Sequence, residues 1–299
     1  MRLATIIIDE QEKAAVITKD GAVPVDYINN KYNQNFENSF FDILQTGQLE
    51  ELKTWHADNK AELENSEGVI AASELKYGPL YRQPRKIWGI GLNYVEHAAD
   101  LSEKAPNTEP ASFMKPDTSI IGPHDTISIP LQSERTTAEA ELGVIIGKEC
   151  KDVSEEDAPS VVAGFTTIID MTAEDILQRN PRYLTRSKSF DTFFSFGPQF
   201  VTIDEVEEVL DLNVSTVING KIHRKNTVSN MTFRPWNLVS FHSQVMKMLP
   251  GDIISTGTPG AVVISDGDVV ECHIDGFEPL VNSVEDLKVK SKSEKEQLA

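Results

Sequence analysis

Apolar residues follow two different patterns over the first eighty positions. Residues 3–8 and 13–18 alternate well enough to predict a β-hairpin. Apolar side chains then recur at helical spacing over residues 36–44, and a second helix is predicted over residues 49–64. We therefore expect a small N-terminal α+β domain over residues 1–80.

From Lys86 onward the pattern changes to short apolar runs separated by Gly and Pro, which predicts a β-rich sandwich, roll or barrel. These runs lie at residues 86–92, 119–122, 125–130, 140–147, 161–169, 212–219, 252–257, 268–274 and 287–290. The few predicted helices lie at about residues 94–101, 154–158, 173–179 and 237–248. We therefore predict a β-dominated α+β protein, with a linker at 77–85, a catalytic-sized domain at 85–285 and a polar C-terminal tail at 286–299.

The amino-acid composition mainly shows which classes of binding partner to exclude. The 299 residues include 28 Lys+Arg and 47 Asp+Glu, for a formal net charge of −19. Nucleic acids and anionic membranes require extended basic surfaces, so neither is expected to bind. Cys150 and Cys272 are too few for a disulfide framework, no apolar run approaches the ~20 residues of a membrane span, and the first residues do not resemble a signal peptide. We therefore expect a cytoplasmic protein.

Two carboxylates stand close together at Glu139 and Glu141, in the sequence AEAELGVIIGK. Positions i and i+2 of a strand point to the same face, so both side chains aim at one spot. A solvated outer face is the alternative, but the run that follows is apolar on both faces, as in a strand buried on both sides. Because unpaired carboxylates are costly to bury, this pattern indicates a cation between them.

Asp170 adds a third carboxylate at the end of the run 161–169, where the chain is expected to leave a strand and enter a helix near Ala173. Its alternative role is to cap that helix, which Thr172 could do by itself. Three carboxylates without a nearby His or Cys predict an all-oxygen site for Mg²⁺ or Mn²⁺, with Ca²⁺ able to substitute in crystals and Zn²⁺ less suited. The six histidines show no zinc-binding spacing.

Three further segments hold residues able to move protons or bind charge. His97 and Asp100 lie three residues apart on a predicted helix, where Asp100 could orient His97 as a general base; a surface ion pair is the alternative. Lys188 lies among phenylalanines, where it could stabilise charge or instead reach solvent without a function. Residues 249–262 predict a turn whose hydroxyls and backbone amides could hold a carboxylate, or serve the turn alone.

Taken in order, these segments resemble the fumarylacetoacetate hydrolase family. The resemblance runs over about residues 85–285, through GLNYVEHAAD, ASFMKPDTSIIGP, AEAELGVIIGK, GFTTIIDMTAED, TRSKSFDTFFSFGP, NGKIHRKNTVSNM, PGDIISTGTP and GDVVECHIDG. It implies a mixed β-sandwich-roll catalytic domain, usually a homodimer, with one divalent cation per subunit. It also implies a small 2-oxo or 1,3-dioxo acid as substrate.

The resemblance further implies roles for individual residues. The implied metal ligands are Glu139, Glu141 and Asp170, and the implied catalytic residues are His97, Asp100 and Lys188. His97, paired with Asp100, would activate water, and Lys188 would stabilise a developing enolate. Gly257 and Thr258 would help to hold the substrate carboxylate.

The chain departs from the family pattern at three positions. Position 100 is Asp where hydrolytic relatives usually carry the longer Glu. Position 174 is Glu where relatives usually carry Arg, and the Gln that commonly follows falls one residue late, at Gln178, with Leu177 in its place. Losing a cation and gaining an anion near the substrate entrance would change which acids are accepted.

These observations predict hydrolysis of a C–C bond in an acylpyruvate or fumarylacetoacetate-like 1,3-dioxo acid. Oxaloacetate decarboxylation on the same metal is an alternative that the shorter Asp100 favours, because it needs no attacking water. Isomerisation or hydration of hydroxymuconate-type acids is a third use of the site. A non-catalytic binding protein with a structural metal site is the alternative of another class.

Overall fold

The computed structural model describes residues 1–95 and 106–291. Over these ranges the α-helices are Val25–Tyr32, Phe40–Gln45, Leu49–Glu64, Glu174–Arg179, Leu184–Lys188 and Pro235–Val245, and residues 287–291 are also helical. The strands are β1 Arg2–Ile8, β2 Gln11–Ile17, β3 Gly21–Pro24, β4 Ile70–Ala71, β5 Ile87–Gly91, β6 Ala111–Lys115, β7 Ile120–Ile121, β8 Thr126–Ile129, β9 Thr136–Ile146, β10 Val162–Ala173, β11 Phe194–Phe196, β12 Gln199–Thr202, β13 Asn213–Ile218, β14 Lys221–Thr227, β15 Ile253–Ser255, β16 Val262–Val263, β17 Val269–Ile274 and β18 Leu280–Asp286. No helix in these ranges is long and apolar enough to cross a membrane.

The predicted N-terminal hairpin is present, with β1 and β2 paired antiparallel. Its two-residue turn consists of Asp9 and Glu10, whose φ angles are 49° and 63°. Positive φ at both turn residues gives a twist that matches the twist of paired strands. The alternation of residues 3–8 and 13–18 therefore predicts this hairpin correctly.

The N-terminal helices are predicted only in part. The helix Leu49–Glu64 has the predicted bounds. The helix predicted around residues 36–44 begins later, at Phe40, where the Ser39 side chain accepts a hydrogen bond from a first-turn amide. The helix Val25–Tyr32 has no counterpart in the sequence prediction, because its only buried residues are Val25 and Ile28, and two positions are too few to show a helical pattern.

One large mixed sheet joins the N-terminal strands to the strands of the β-rich region. Its main path runs β4-β3-β2-β1-β12-β10-β9-β15-β5-β6, and β7, β11 and β16 attach to this path. β1 pairs antiparallel with β12, which pairs antiparallel with β10. The N-terminal strands are thus hydrogen-bonded into the central sheet, and the division into units of 1–80 and 85–285 stays a prediction.

A second sheet, in the order β14-β13-β17-β18-β8, covers one face of β9 and β10. On that face Val144 and Phe165 belong to a core that also includes side chains of β13 and β17. On the opposite face Ile145 and Ile168 belong to a core shared with the N-terminal helices. β9 and β10 are therefore buried on both faces, so any charged side chain on them is withdrawn from water.

One strand boundary and two elements predicted from the sequence are wrong. β10 extends to Ala173 instead of ending before Asp170, because it pairs with β9 along its whole length. Residues 287–290, predicted as a strand, are helical and follow the end of β18. A 3₁₀ turn at Ala158–Val161 stands in place of the helix predicted at 154–158. Short apolar runs do not distinguish helix from strand, and partner strands decide between them.

Candidate metal centre

Glu139, Glu141 and Asp170 meet on one face of the β9–β10 ladder. Asp170 lies directly opposite Glu139 in the antiparallel register, and Glu141 lies two residues along β9 on the same face. One carboxylate oxygen from each residue lies within 4.8 Å of the others, and all three residues are buried. The fold thus assembles the three carboxylates that the sequence nominates as metal ligands.

Lys188 lies at the end of the helix Leu184–Lys188 and points into this cluster. Its Nζ donates to Glu139 Oε2 at 2.8 Å and to Asp170 Oδ2 at 2.6 Å. The residue is only 5% exposed, so the alternative in which it reaches solvent is wrong. Burial acts to lower its pKa, but the charges of Asp170 and Glu139 outweigh burial and raise the pKa of Lys188 above its ordinary value. Lys188 is therefore held as an ammonium group.

Sequence reasoning missed a second lysine at this site, Lys115 at the end of β6. Its Nζ donates to Asp170 Oδ1 at 2.5 Å and to the backbone carbonyls of Lys188 and Met171. Burial, opposed by the charge of Asp170 and assisted by that of Lys188, lowers the pKa of Lys115. The two-residue period of a strand could have revealed it, because Lys115 lies two residues after the apolar Phe113 and therefore shares its buried face.

Two threonines surround Glu139. The Thr172 hydroxyl donates to Glu139 Oε1 at 2.5 Å, and the Thr137 hydroxyl donates to the same oxygen at 3.3 Å. Thr172 therefore does not cap the following helix, whose N-cap position is Ala173 and has no side-chain hydrogen bond. The capping alternative for Asp170 is also wrong, since Asp170 lies inside β10 and is paired with lysines.

The last residue of β15 and the turn after it hold Glu141. Glu141 Oε2 accepts hydrogen bonds from the Ser255 hydroxyl at 2.5 Å and from the Gly257 backbone N–H at 2.8 Å. Gly257 has a φ of 97°, a conformation that favours glycine. The Thr258 hydroxyl lies 3.3 Å from both the backbone oxygen and the backbone nitrogen of Gly260. Contact of Gly257 and Thr258 with a substrate stays a prediction.

The charge balance of this cluster suits a divalent cation. Among the described residues, three carboxylates face the ammonium groups of Lys115 and Lys188. Burial, followed by the charge of Asp170, raises the pKa of Glu141 to about 8. A divalent cation would neutralise the remaining negative charge, which is otherwise unfavourable to bury. The three carboxylates also supply the oxygen ligands that Mg²⁺ and Mn²⁺ prefer. The residues present therefore fit the metal that the family resemblance implies.

We expect the metal-free protein to lose stability as the pH rises from about 4.5 to about 8, because the pKa of Glu141 is about 8 in the fold against an ordinary 4.5. Between these values the folded state binds more protons than the unfolded chain, so the free energy of unfolding falls with increasing pH. Thermal unfolding of EDTA-treated protein at several pH values measures this loss. Glu141→Gln cannot titrate and should show a smaller pH dependence, and an equal dependence in both proteins would contradict the assignment.

Of the remaining residues that the sequence analysis singles out, the structure describes some and not others. His97 and Asp100 lie outside the described residues, so their pairing stays a prediction. Glu174 begins the helix after β10, and its Oε2 accepts a hydrogen bond from Arg135 Nε at 2.6 Å. Its Oε1 accepts one from Gln178 Nε2 at 3.0 Å. The anion at position 174 is therefore accompanied by a cation that the sequence did not reveal.

Known proteins share this architecture. The family model described as Fumarylacetoacetate (FAA) hydrolase C-terminal matches residues 86–285. A protein of Archaeoglobus fulgidus is 42% identical over 201 residues, or 67% of this chain and 78% of its own. The mitochondrial oxaloacetate tautomerase FAHD2A of Homo sapiens is 35% identical over 225 residues, or 72% of this chain and 71% of its own. Maleylpyruvate hydrolase from Sphingobium sp. SYK-6 superposes with a TM-score of 0.79 and 25% identity, over 96% of this chain and 100% of that one.

These likenesses confirm the predicted β-dominated fold. The matched range contains the strands β9 and β10 and therefore the whole carboxylate cluster. The chain, with its buried acidic metal site, belongs to the fumarylacetoacetate hydrolase family of enzymes.

Proposed function

We propose that this protein is a Mg²⁺- or Mn²⁺-dependent enzyme that interconverts the keto and enol forms of oxaloacetate or a closely similar 2-oxo acid. The observation that carries the proposal is the buried contact of Lys188 Nζ with both Glu139 and Asp170. It places a fixed ammonium group beside the carboxylates that would bind the cation. Negative charge that develops on a substrate oxygen there would be strongly stabilised, because little water is present to screen it.

Enolisation removes a proton from C3 of the acid and adds one to the oxygen on C2. A bound cation would supply Lewis-acid polarisation of that oxygen. Lys188 keeps its proton, because its pKa is raised by Asp170 and Glu139 in spite of burial, and it can therefore donate a hydrogen bond to the developing oxygen anion. Lys115 holds both Asp170 and the backbone carbonyl of Lys188, which fixes the position of that donor.

The likeness to the human oxaloacetate tautomerase supports this reaction, since it extends over 72% of this chain at 35% identity. Tautomerisation needs a base for the C3 proton and charge stabilisation at the carbonyl oxygen, but no attacking water. It therefore draws on the carboxylates and lysines that the structure assembles, and it tolerates the shorter acid at Asp100.

Hydrolysis of a C–C bond in an acylpyruvate-like acid is the second candidate. The likeness to maleylpyruvate hydrolase, at 25% identity over the whole of that chain, favours it. Cleavage and tautomerisation both pass through an enolate, which the same groups would stabilise. Cleavage also requires an activated water, the role predicted for His97 with Asp100.

Parallel absorbance assays with oxaloacetate and acetylpyruvate test the proposal. With Mg²⁺ or Mn²⁺ we expect fast equilibration of enol and keto oxaloacetate, and loss of this catalysis after EDTA treatment. Metal-dependent disappearance of acetylpyruvate would instead indicate hydrolysis, and release of CO₂ from oxaloacetate would indicate decarboxylation. Hydrolysis through His97 would be excluded if His97→Ala left acetylpyruvate turnover unchanged. No metal-dependent change in either acid would contradict an enzyme of this type and favour the binding role.

A homodimer belongs to the same proposal. Light scattering after gel filtration measures the mass in solution, and a mass of one chain would contradict the dimer.

A further inference from the structure

Beyond the three carboxylates, the face of the β9–β10 ladder that carries them continues outward. Thr137 and Thr172 lie opposite each other, and both donate to Glu139. The next pair outward is Arg135 and Glu174, which extend the ladder through a 2.9 Å hydrogen bond from the Glu174 N–H to the Arg135 carbonyl. Arg135 directly precedes β9 and Glu174 directly follows β10, so continuing the alternation of the two strands by one residue puts this ion pair on the same side as the carboxylate cluster.

The guanidinium group of Arg135 is hydrogen-bonded through Nε, while its other two nitrogens have no partner among the described residues. Its Nε donates to Glu174 Oε2 at 2.6 Å, and Gln178 fixes the other oxygen of that carboxylate at 3.0 Å. The Arg135 side chain is 51% exposed, whereas that of Glu174 is only 10% exposed. Within residues 1–95 and 106–291, Nη1 and Nη2 of Arg135 make no hydrogen bond. A planar guanidinium fixed through Nε presents these two nitrogens to a carboxylate.

We propose that Arg135 is a specificity-determining residue that binds the second carboxylate of a 2-oxo dicarboxylic acid whose 2-oxo acid end lies at the metal centre. This inference rests on the proposed function and limits the acids similar to oxaloacetate to those that, like it, carry a second carboxylate. It also assigns a role to Glu174, which orients the guanidinium. Because Arg135 balances its charge, Glu174 would not repel an incoming acid.

The spacing along the strand suits such a substrate. Glu139 lies four positions after Arg135, which corresponds to about 13 Å between Cα atoms of an extended strand. Because glutamate and arginine both have long side chains, their charged groups can lie closer together than their Cα atoms, so a linear acid with a carboxylate at each end is the class of ligand that could reach both. The hydroxyls of Thr137 and Thr172 line the interval, and both are engaged with Glu139.

Calorimetric titration of the Mn²⁺-loaded protein with 2-oxoadipate and 2-oxohexanoate tests the inference without measuring turnover. These acids differ only in the terminal carboxylate. We expect wild-type protein to bind 2-oxoadipate about tenfold more tightly, and Arg135→Gln to remove this preference while binding 2-oxohexanoate as wild type does. Arg135→Lys keeps a positive charge without the planar fork and should retain part of the preference.

Arg179→Gln is the matched control. Arg179 is also an exposed arginine, and it pairs at 2.9 Å with Asp175, which lies next to Glu174 on the same helix. An equal loss in this variant would overturn the inference, since a general change in charge would then explain it. A preference for 2-oxoadipate that survives Arg135→Gln, or its absence from wild-type protein, would also overturn it while leaving the proposed function intact. Failure of both acids to bind would refute the proposed function itself, and the inference with it.

Discussion

Glu141→Gln is expected to lose metal binding and at least about 10³-fold of turnover while remaining folded. The amide oxygen of Gln can still accept the hydrogen bonds that Ser255 and Gly257 donate to Glu141 Oε2. Its NH₂ group then occupies the place of a ligand oxygen and cannot coordinate a cation. A bound cation contributes several kcal/mol of charge stabilisation in reactions of this type, which corresponds to a loss of this size.

Metal-induced stabilisation measures the same loss without an assay of activity. Wild-type protein at a Mn²⁺ concentration about 100 times the dissociation constant should gain about 2.7 kcal/mol in free energy of unfolding, and Glu141→Gln should gain none. Glu149→Gln is the control, because Glu149 is an exposed glutamate paired with Lys247 away from the cluster. An undiminished gain in the Glu141 variant would show that the cation binds elsewhere.

Lys115→Met is expected to destabilise the protein by about 3–5 kcal/mol and to impair catalysis. Lys115 and Asp170 have almost no side-chain exposure, at 0% and 1%, and their ion pair is 2.5 Å long. Removing Lys115 leaves Asp170 with Lys188 as its partner, so three buried carboxylates then face one ammonium group in a region that water does not reach. The variant also loses the hydrogen bond to the Lys188 carbonyl, which we expect to position the Lys188 ammonium group.

Denaturant unfolding of the metal-free proteins measures this effect. Lys247→Met removes a lysine from the exposed pair with Glu149 and should change the free energy of unfolding by no more than about 1 kcal/mol. The double variant Lys115→Met/Asp170→Asn should be less destabilised than the sum of the single variants, because it also removes the carboxylate whose charge Lys115 balanced. A Lys115→Met protein as stable as the Lys247 control would refute a structural role for the buried pair.

Residue pattern alone predicts the parts of the site that lie on one strand. Glu139 and Glu141 share a face because of the two-residue period, and the apolar residues that follow predict that this face is buried. The order of the motifs adds Asp170 and Lys188 through the family resemblance. The structure agrees with all four placements, although it puts Asp170 within a strand and not at its end.

Contacts between distant segments are not encoded in any local pattern. Lys115 approaches Asp170 because the fold brings β6 against the end of β10 and the helix that carries Lys188. Arg135 neutralises Glu174 because the β9–β10 pairing extends past the ends of both strands. A lysine or arginine read along the sequence gives no indication of which carboxylate it will meet.

The sequence by itself determined the β-dominated fold, the family and the identity of the three carboxylates, because side-chain periodicity and motif order are local properties of the chain. Only the tertiary structure decided how the charges of the site are balanced. Whether a buried carboxylate is paired depends on strand register and on segments tens of residues away, and the free energy of a buried charge is set by those neighbours.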